Sequence, residues 1–311
     1  VLGREFEVRL LSQMLRNGRP LEIVVASAEQ AAIWQPLNEL RYIFLHTLVR
    51  DTAYGMLTHQ RRQRLHLLAA QALELLYTAD LTPAAPAIGY HYEQAEQAEP
   101  ARRYLALAGE EAARSYHNQA AVDYFTRALA LAPTPAQRAD FLLGREAVLN
   151  WQGDRQRQAE DLHALAALAE QIADLRLHAE ISLRQANYRR ATGDIPAALA
   201  HAQAAINSAR LAGEKGAEAR GYALSGRILL HRGQYEEAIQ WLEQARDLAG
   251  PAGDIRTEAQ STYDTGVAHY YQDDFELAER YVTSARTLYG QISDLKGEVS
   301  AGYMMATINK Q

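Results

Sequence analysis

Four tight turns recur at forty-residue intervals, and a fixed period of that kind limits the fold more than any other feature of this chain. They read QGD ending at Asp154, TGDI (192–195), RGQY (232–235) and QDDF (272–275), and their turning residues are Gly153, Gly193, Gly233 and Asp273. A small residue stands seven positions before three of these turns, at Ala186, Gly226 and Gly266. Alanines follow the last three turns at Ala198, Ala238 and Ala278, and again at Ala205, Ala245 and Ala285. Two antiparallel helices joined by a tight turn approach closely only where side chains are small, and Gly or Asp tolerates the bend. The small residue of the first helix is therefore expected to face the alanine of the second. Trp241, Leu242 and Tyr281 are expected to fill the space between neighbouring hairpins. One hairpin cannot bury its apolar face alone, so hairpins must stack.

Composition narrows the function classes. The 311 residues are 48% hydrophobic and 23% charged, with net charge −6 and a pI near 6.0. That balance argues against a broadly basic nucleic-acid surface. No cysteine is present, so disulfides and thiolate metal sites are excluded, and a reducing cytoplasm is the expected compartment. No apolar run approaches the length of a membrane span, and no signal-peptide pattern opens the sequence. It starts at Val1 and closes on AGYMMATINKQ, both in mid-pattern, as expected of a segment of a longer protein. Ten histidines form no H-E-x-x-H or comparable pairing, and His91 and His117 read as partly buried rings. The acid pairs Asp273–Asp274 and Glu236–Glu237 fall where they cap helices or complement their dipoles. There is no phosphate-binding loop and no strand ending in paired acids. Metal, cofactor and catalysis are accordingly not expected within this segment.

The stretch AEARGYALSGRILLHRGQYEEAIQWLEQARDLA (217–249) resembles the tetratricopeptide repeat, with a period of forty in place of thirty-four. Weaker copies are SYHNQAAVDYFTRALALAP (115–133) and the helical pair within 88–112, so the array is expected over 84–311. The resemblance implies an all-α, right-handed superhelix whose first helices line a concave groove. Carried over position by position, the lining is Leu183, Asn187 and Arg190, then Arg220, Arg227 and Leu230, then Tyr263, Val267 and Tyr270, with Tyr303 continuing the row. Guanidinium and aromatic groups of this kind suit a protein interface. Arg190, Arg220 and Arg227 suit an acidic peptide or a C-terminal carboxylate. The competing reading is a solvated face, with arginines paired to acids such as Glu180 and Glu218.

Residues 1–80 follow another pattern. GREFEVRLLSQML (3–15) reads as an amphipathic helix on Phe6, Leu10, Leu11 and Leu15. A second helix is expected near 21–31, two strands around PLNE within 33–44, then helices from His46 and over 61–76. In HQRRQRLH (59–66), Leu65 and Leu67–Leu68 mark a buried face, so these arginines are expected to dock within the protein and not on DNA. This helix–helix–hairpin–helix order, with Phe44, His46, Leu48, Val49, Arg50, Asp51, Ala53 and Tyr54 and then Arg61, Arg62, Leu65 and His66, resembles the winged-helix relay segment of bacterial STAND-class signalling ATPases. Maltose-activator-type regulators and cyclase- or kinase-linked ATPases share that arrangement. FLHTLVRD is also similar to the M-H-D motif of plant disease-resistance ATPases, with Leu45 for Met and Thr47 for Asp. The likeness implies that His46 senses a nucleotide held by an ATPase core elsewhere in a parent protein, where ATP or ADP and Mg would bind. The plainer reading is a helix-start histidine bonded to the hairpin. The function expected is a non-catalytic sensor and protein-interaction arm whose partners are a protein or peptide in the groove and the ATPase domain of the parent. The alternative is a passive scaffold whose N-terminal domain caps the helical stack.

Overall fold

The computed structural model describes residues 1–15 and 20–310, which fall into two compact units, Val1–Gly153 and Asp154–Gln311. The second unit follows directly from the forty-residue period. Its helices are α9 (Arg155–Ile172), α10 (Leu175–Ala191), α11 (Ile195–Ala212), α12 (Lys215–His231), α13 (Tyr235–Ala252), α14 (Ile255–Tyr271), α15 (Phe275–Gln291) and α16 (Leu295–Ile308). They begin every twenty residues, so each forty-residue period is two near-equal halves. At the expected turns Gly193, Gly233 and Asp273 have φ of +86°, +75° and +62°, the left-handed region. The links between hairpins turn the same way, at Ala173, Gly213, Gly253 and Ser293. Each left-handed residue closes a helix, and from 193 onward the next N–H returns to a carbonyl in its last turn, as in Asp194 to Arg189 and Asp254 to Ala249.

The residue making that return bond also starts the following helix. Asp154, Asp174, Asp194, Asp254, Asp274 and Asp294 each accept a hydrogen bond from the first turn of their helix, whereas Glu214 and Gln234 do not. Asp254 accepts from the Thr257 amide at 3.1 Å and the Thr257 hydroxyl at 2.9 Å. Asp254→Ala is therefore expected to lower stability by about 1 kcal/mol. Gln234→Ala, with no such bond to lose, should shift the urea midpoint much less.

Within the hairpins α10 packs on α11, α12 on α13 and α14 on α15. Ala198, Ala205, Ala238, Ala245, Ala278 and Ala285 are all fully buried. The small residues face the second helix as expected, but one turn further on than the alanines. A Cβ added at Gly226 would lie 2.6 Å from Leu242 and 3.1 Å from the Ala238 carbonyl, and one at Gly266 would lie 2.7 Å from Val282. Leu242 thus packs inside its own hairpin as well as against the next, through Ala268. Trp241 meets Tyr222 and Tyr281 stacks on His269, both inside their own hairpins and not between neighbours. Tyr281 also reaches the preceding hairpin, as expected, through Glu243 at 3.4 Å and Arg246.

The first unit begins with a three-stranded antiparallel sheet in the order β1-β3-β2, where β1 is Glu5–Glu7, β2 Trp34–Asn38 and β3 Arg41–Phe44. The strand β1 corrects the expected helix over 3–15: the helix, α1, spans only Val8–Met14. Phe6 leaves helical spacing because Tyr42, its strand partner, places it beside Trp34, with ring centroids 4.9 Å apart. Pro36 is tolerated because β2 is an edge strand, and Asn38 closes the hairpin by accepting from the amides of Leu40 and Arg41 at 2.9 Å. The helix α2 (Leu21–Gln30) lies between β1 and β2 in sequence, and α3 (Thr47–Gly55) follows β3. This small hairpin with its helices fits a winged-helix-like start.

Helices α4 (His59–Leu76), α5 (Ala85–Gln94), α6 (Ala98–Arg114), α7 (Asn118–Ala130) and α8 (Pro135–Gln152) complete the unit, each packed on the next. The buried face of α4 centres on His66, with Leu65, Leu67 and Leu68 only half-buried. His117, expected to be partly buried, is exposed before α7. Leu10, Ala70, Leu73, Ile88 and Tyr104 share one core, so the N-terminal segment and the first helical pairs fold as one body.

Candidate interaction site

The first helix of each hairpin carries the residues expected to line a groove. On α10, Leu183 is buried, which removes it from any exposed lining. Asn187 is exposed, and its amide donates back to the Leu183 carbonyl at 3.1 Å. Arg190, one turn further, is half-buried, and its Nε is fully covered without an acceptor. Burial, then the charges of Arg227 and Arg155, push its pKa below the ordinary guanidinium value. A guanidinium held so, with other cations near, favours an incoming anion.

On α12, Arg220 is exposed, lies 3.6 Å from Glu180 and donates to the Gly216 carbonyl. Glu180 also accepts from Arg184 at 2.8 Å. The expected pairing with Glu180 is therefore present, whereas Glu218 is held by Arg210 at 2.9 Å and Lys215 at 3.0 Å. Arg227 donates to Asp264 on α14 at 2.9 Å, and Leu230 is buried. Gln260 donates to the same carboxylate at 2.9 Å. Sequence spacing gave no sign of this cross-hairpin pair, because the position of Asp264 is Leu224 and Arg184 one and two periods earlier.

The row turns aromatic on α14. Tyr263 is half-buried, and burial followed by the Asp264 charge raises its pKa. Val267 and Tyr270 are half-buried in the cluster of Val282 and Met304, and Tyr270 packs edge-on against Tyr271 and Phe275. On α16, Tyr303 is 77% exposed. Arg190 and Arg227 are thus brought within electrostatic reach of each other, while Arg220 is engaged with Glu180 and Tyr303 stands in solvent.

The residues singled out near the N-terminus lie at the start of α3. His46 is its N-cap residue, exposed and making no side-chain capping bond. Arg50 is bonded to the neighbouring Asp51 carboxylate, its Nε at 2.8 Å. Leu48, Val49 and Met56 are exposed, and no residue of α3 is buried. What ties α3 inward is Tyr54, whose hydroxyl meets His66 Nε2 at 2.9 Å. His66 Nδ1 in turn lies 2.8 Å from His91 Nδ1. Among the described residues no group of three metal-binding side chains converges, and no helix is long and apolar enough to cross a membrane.

Comparison with known proteins follows this geometry. No curated protein matches the chain by sequence. Among solved structures, BtubC from P. vanneervenii is similar over 76% of this chain and 93% of its own, at 14% identity and a TM-score of 0.55. A STAND signal-transduction ATPase with a tetratricopeptide repeat sensor, from Pyrococcus horikoshii, is similar over 98% of this chain at 15% identity and a TM-score of 0.52. This chain spans about half (51%) of that protein. The apo form of RapI is similar over 73% of this chain and 92% of its own, at 10% identity and a TM-score of 0.50. These likenesses are of fold. The sequence profile of the tetratricopeptide repeat matches residues 219–291, the stretch from α12 to α15. The chain carries a tetratricopeptide repeat domain, set in a longer stack of helical hairpins.

Proposed function

We propose that the hairpins of the second unit form a partner-binding arm that takes an acidic segment of another polypeptide at Arg190. The observation that carries this reading is the covered, acceptor-free Nε of Arg190. A buried donor without an acceptor is destabilising, and a carboxylate arriving there satisfies it with a charge-assisted bond. Asn187 and Arg227 flank the site, and Tyr263, Tyr270 and Tyr303 extend it as apolar contact area. Arg220, exposed and shared with Glu180, tunes approach more than residence.

A glutamate hexapeptide with a free C-terminus serves as the probe, measured by calorimetry. Arg190→Ala is expected to weaken it about tenfold or more, and Arg220→Ala by less than half as much in logarithmic terms. Equal binding by wild type and Arg190→Ala would sink the reading.

In a parent protein, the arm is proposed to act on an ATPase core that holds ATP or ADP with Mg, with residues 1–80 as the relay. The exposed apolar face of α3, with Leu48 and Val49 beside His46, Arg50 and Asp51, supports docking of that helix against another domain. A STAND protein with the same fold along this chain makes that architecture a fitting parent. The test is ATP turnover of the full-length protein, which His46→Ala and deletion of residues 154–311 should each change. The scaffold reading also has support, since Leu10 and Ile88 share one core and the N-terminal segment thereby closes the apolar end of the helical pairs. Turnover indifferent to both changes would leave the scaffold as the answer.

A further inference from the structure

A cleft of about 600 Å³ opens in the first unit between α6, α7 and α8. Phe125 forms part of its lining, packed between Gly109 and Gly144, where an added Cβ would lie 3.0 and 2.8 Å from the ring. Ala113, Gly144 and Ala147 form its walls. The hollow exists because these three positions are small only here. By distance from the turn, Ala113 corresponds to Arg190, Leu230 and Tyr270 in the later hairpins. Gly144 corresponds to Arg184, Leu224 and Asp264, and Ala147 to Asn187, Arg227 and Val267.

The rim repeats a later feature with one part removed. Trp151 stands two residues before its turn, as Tyr271 does three periods on. Tyr271 stacks on Tyr235, the first residue of α13, with centroids 5.4 Å apart and planes 9° from parallel. The corresponding first residue of α7 is Asn118. Trp151 has no ring opposite it there and is 78% exposed, as is Tyr116 on the same rim. Single exposed aromatics are ordinary; two flanking an apolar hollow mark a contact site.

We infer that this cleft receives a tryptophan or tyrosine side chain of a partner polypeptide, which stacks on Trp151 and restores the ring that Asn118 omits. The rim chemistry selects a ring with a donor. Glu110 offers a carboxylate acceptor there, while the Arg114 guanidinium is held by Glu111 at 2.8 Å. The cleft has an open side, so a free small molecule is covered only in part, whereas a side chain is also held by its own backbone. The site lies wholly in the first unit and does not rest on the Arg190 reading.

The test uses the pentapeptides Gly-Gly-Trp-Gly-Gly and Gly-Gly-Leu-Gly-Gly, with N-acetyl-tryptophanamide as the small-molecule probe. The readout is the nitrogen–proton resonance of the Trp151 indole, assigned by its loss in Trp151→Phe. The tryptophan peptide should move it saturably, with the leucine peptide about fivefold weaker or more. Asn118→Tyr, which copies the Tyr235 arrangement, should abolish the shift while circular dichroism stays unchanged. Ala147→Leu, which fills the wall, is the second variant if Asn118→Tyr does not fold. An unmoved indole, equal effects of the two peptides, or undiminished binding in the folded filled variant overturns the inference. Tighter binding of N-acetyl-tryptophanamide than of the peptide overturns the polypeptide assignment.

Discussion

Gly226→Ala is expected to destabilise the wild-type chain and to stabilise a chain that already carries Leu242→Ala. In the wild type the new methyl group would lie 2.6 Å from the Leu242 side chain, with 3.1 Å to the Ala238 carbonyl. Overpacking of that order costs about 1 to 3 kcal/mol, more than the roughly 1 kcal/mol gained by alanine over glycine in a helix. Leu242→Ala alone leaves a cavity in a fully buried place and is expected to cost about 3 to 5 kcal/mol. With Leu242 gone, the methyl at 226 enters empty space and the helix gain remains. The chain already holds that combination one period earlier, where Ala186 and Ala202 occupy the corresponding positions, both fully buried. The cycle of single and double variants, followed by urea unfolding, should show a coupling of about 2 kcal/mol. The same sign for Gly226→Ala in both backgrounds would mean that residue 242 does not set the closeness of the hairpin.

The same comparison explains what the sequence made legible. Turns at Gly193 and Gly233 could be read because glycine marks a left-handed residue and Asp or Gln follows to begin the next helix. The matching turns at Ala173 and Ser293 adopt the same conformation without glycine, so they leave no mark in the sequence, unlike those at Gly213 and Gly253. The strand Glu5–Glu7 was hidden for a different reason. Three residues carry too little alternation to outweigh the helical spacing of Leu10 and Leu11, and the strand exists because β3 pairs with it, Phe6 lying opposite Tyr42. Of the candidate site, the exposure of Asn187 and the partial exposure of Arg190 were legible from their offset to the buried Ala186. The burial of Leu183 and Leu230 was not, since it depends on how closely the neighbouring helix packs. Nor was the cleft beside Trp151, which shows only when hairpins are compared with one another and the smallest side chains are found together.

Lowering the pH from 6.5 towards 4 is expected to unfold the first unit through His66 and His91. The two rings face each other across α4 and α5, Nδ1 to Nδ1 at 2.8 Å, so one nitrogen must accept while the other donates. Two imidazolium rings have no acceptor between them and place like charges in contact. Burial, with Arg62 adding to it, lowers the pKa of His66 to about 4; burial and then the His66 charge lower that of His91 to about 4. In the unfolded chain both return to about 6.5. Between these values the unfolded state holds more protons, so stability falls as the pH drops, by up to about 1.4 kcal/mol per pH unit for each proton. Above 6.5 neither ring contributes a slope, and below about 4 the loss levels off. Tyr54 is bonded to His66 at 2.9 Å, and because its hydroxyl can accept as well as donate, this inward tie of α3, the helix capped by His46, outlasts protonation and is lost only when the unit unfolds. Carboxylates titrate in part of this range, so the measurement is a difference: urea midpoints at pH 7.5, 5.5 and 4.5 for the wild type against His91→Phe. The variant should lose part of the slope below pH 6.5. A gap between the two proteins that stays constant with pH would show that the histidine pair does not titrate on unfolding.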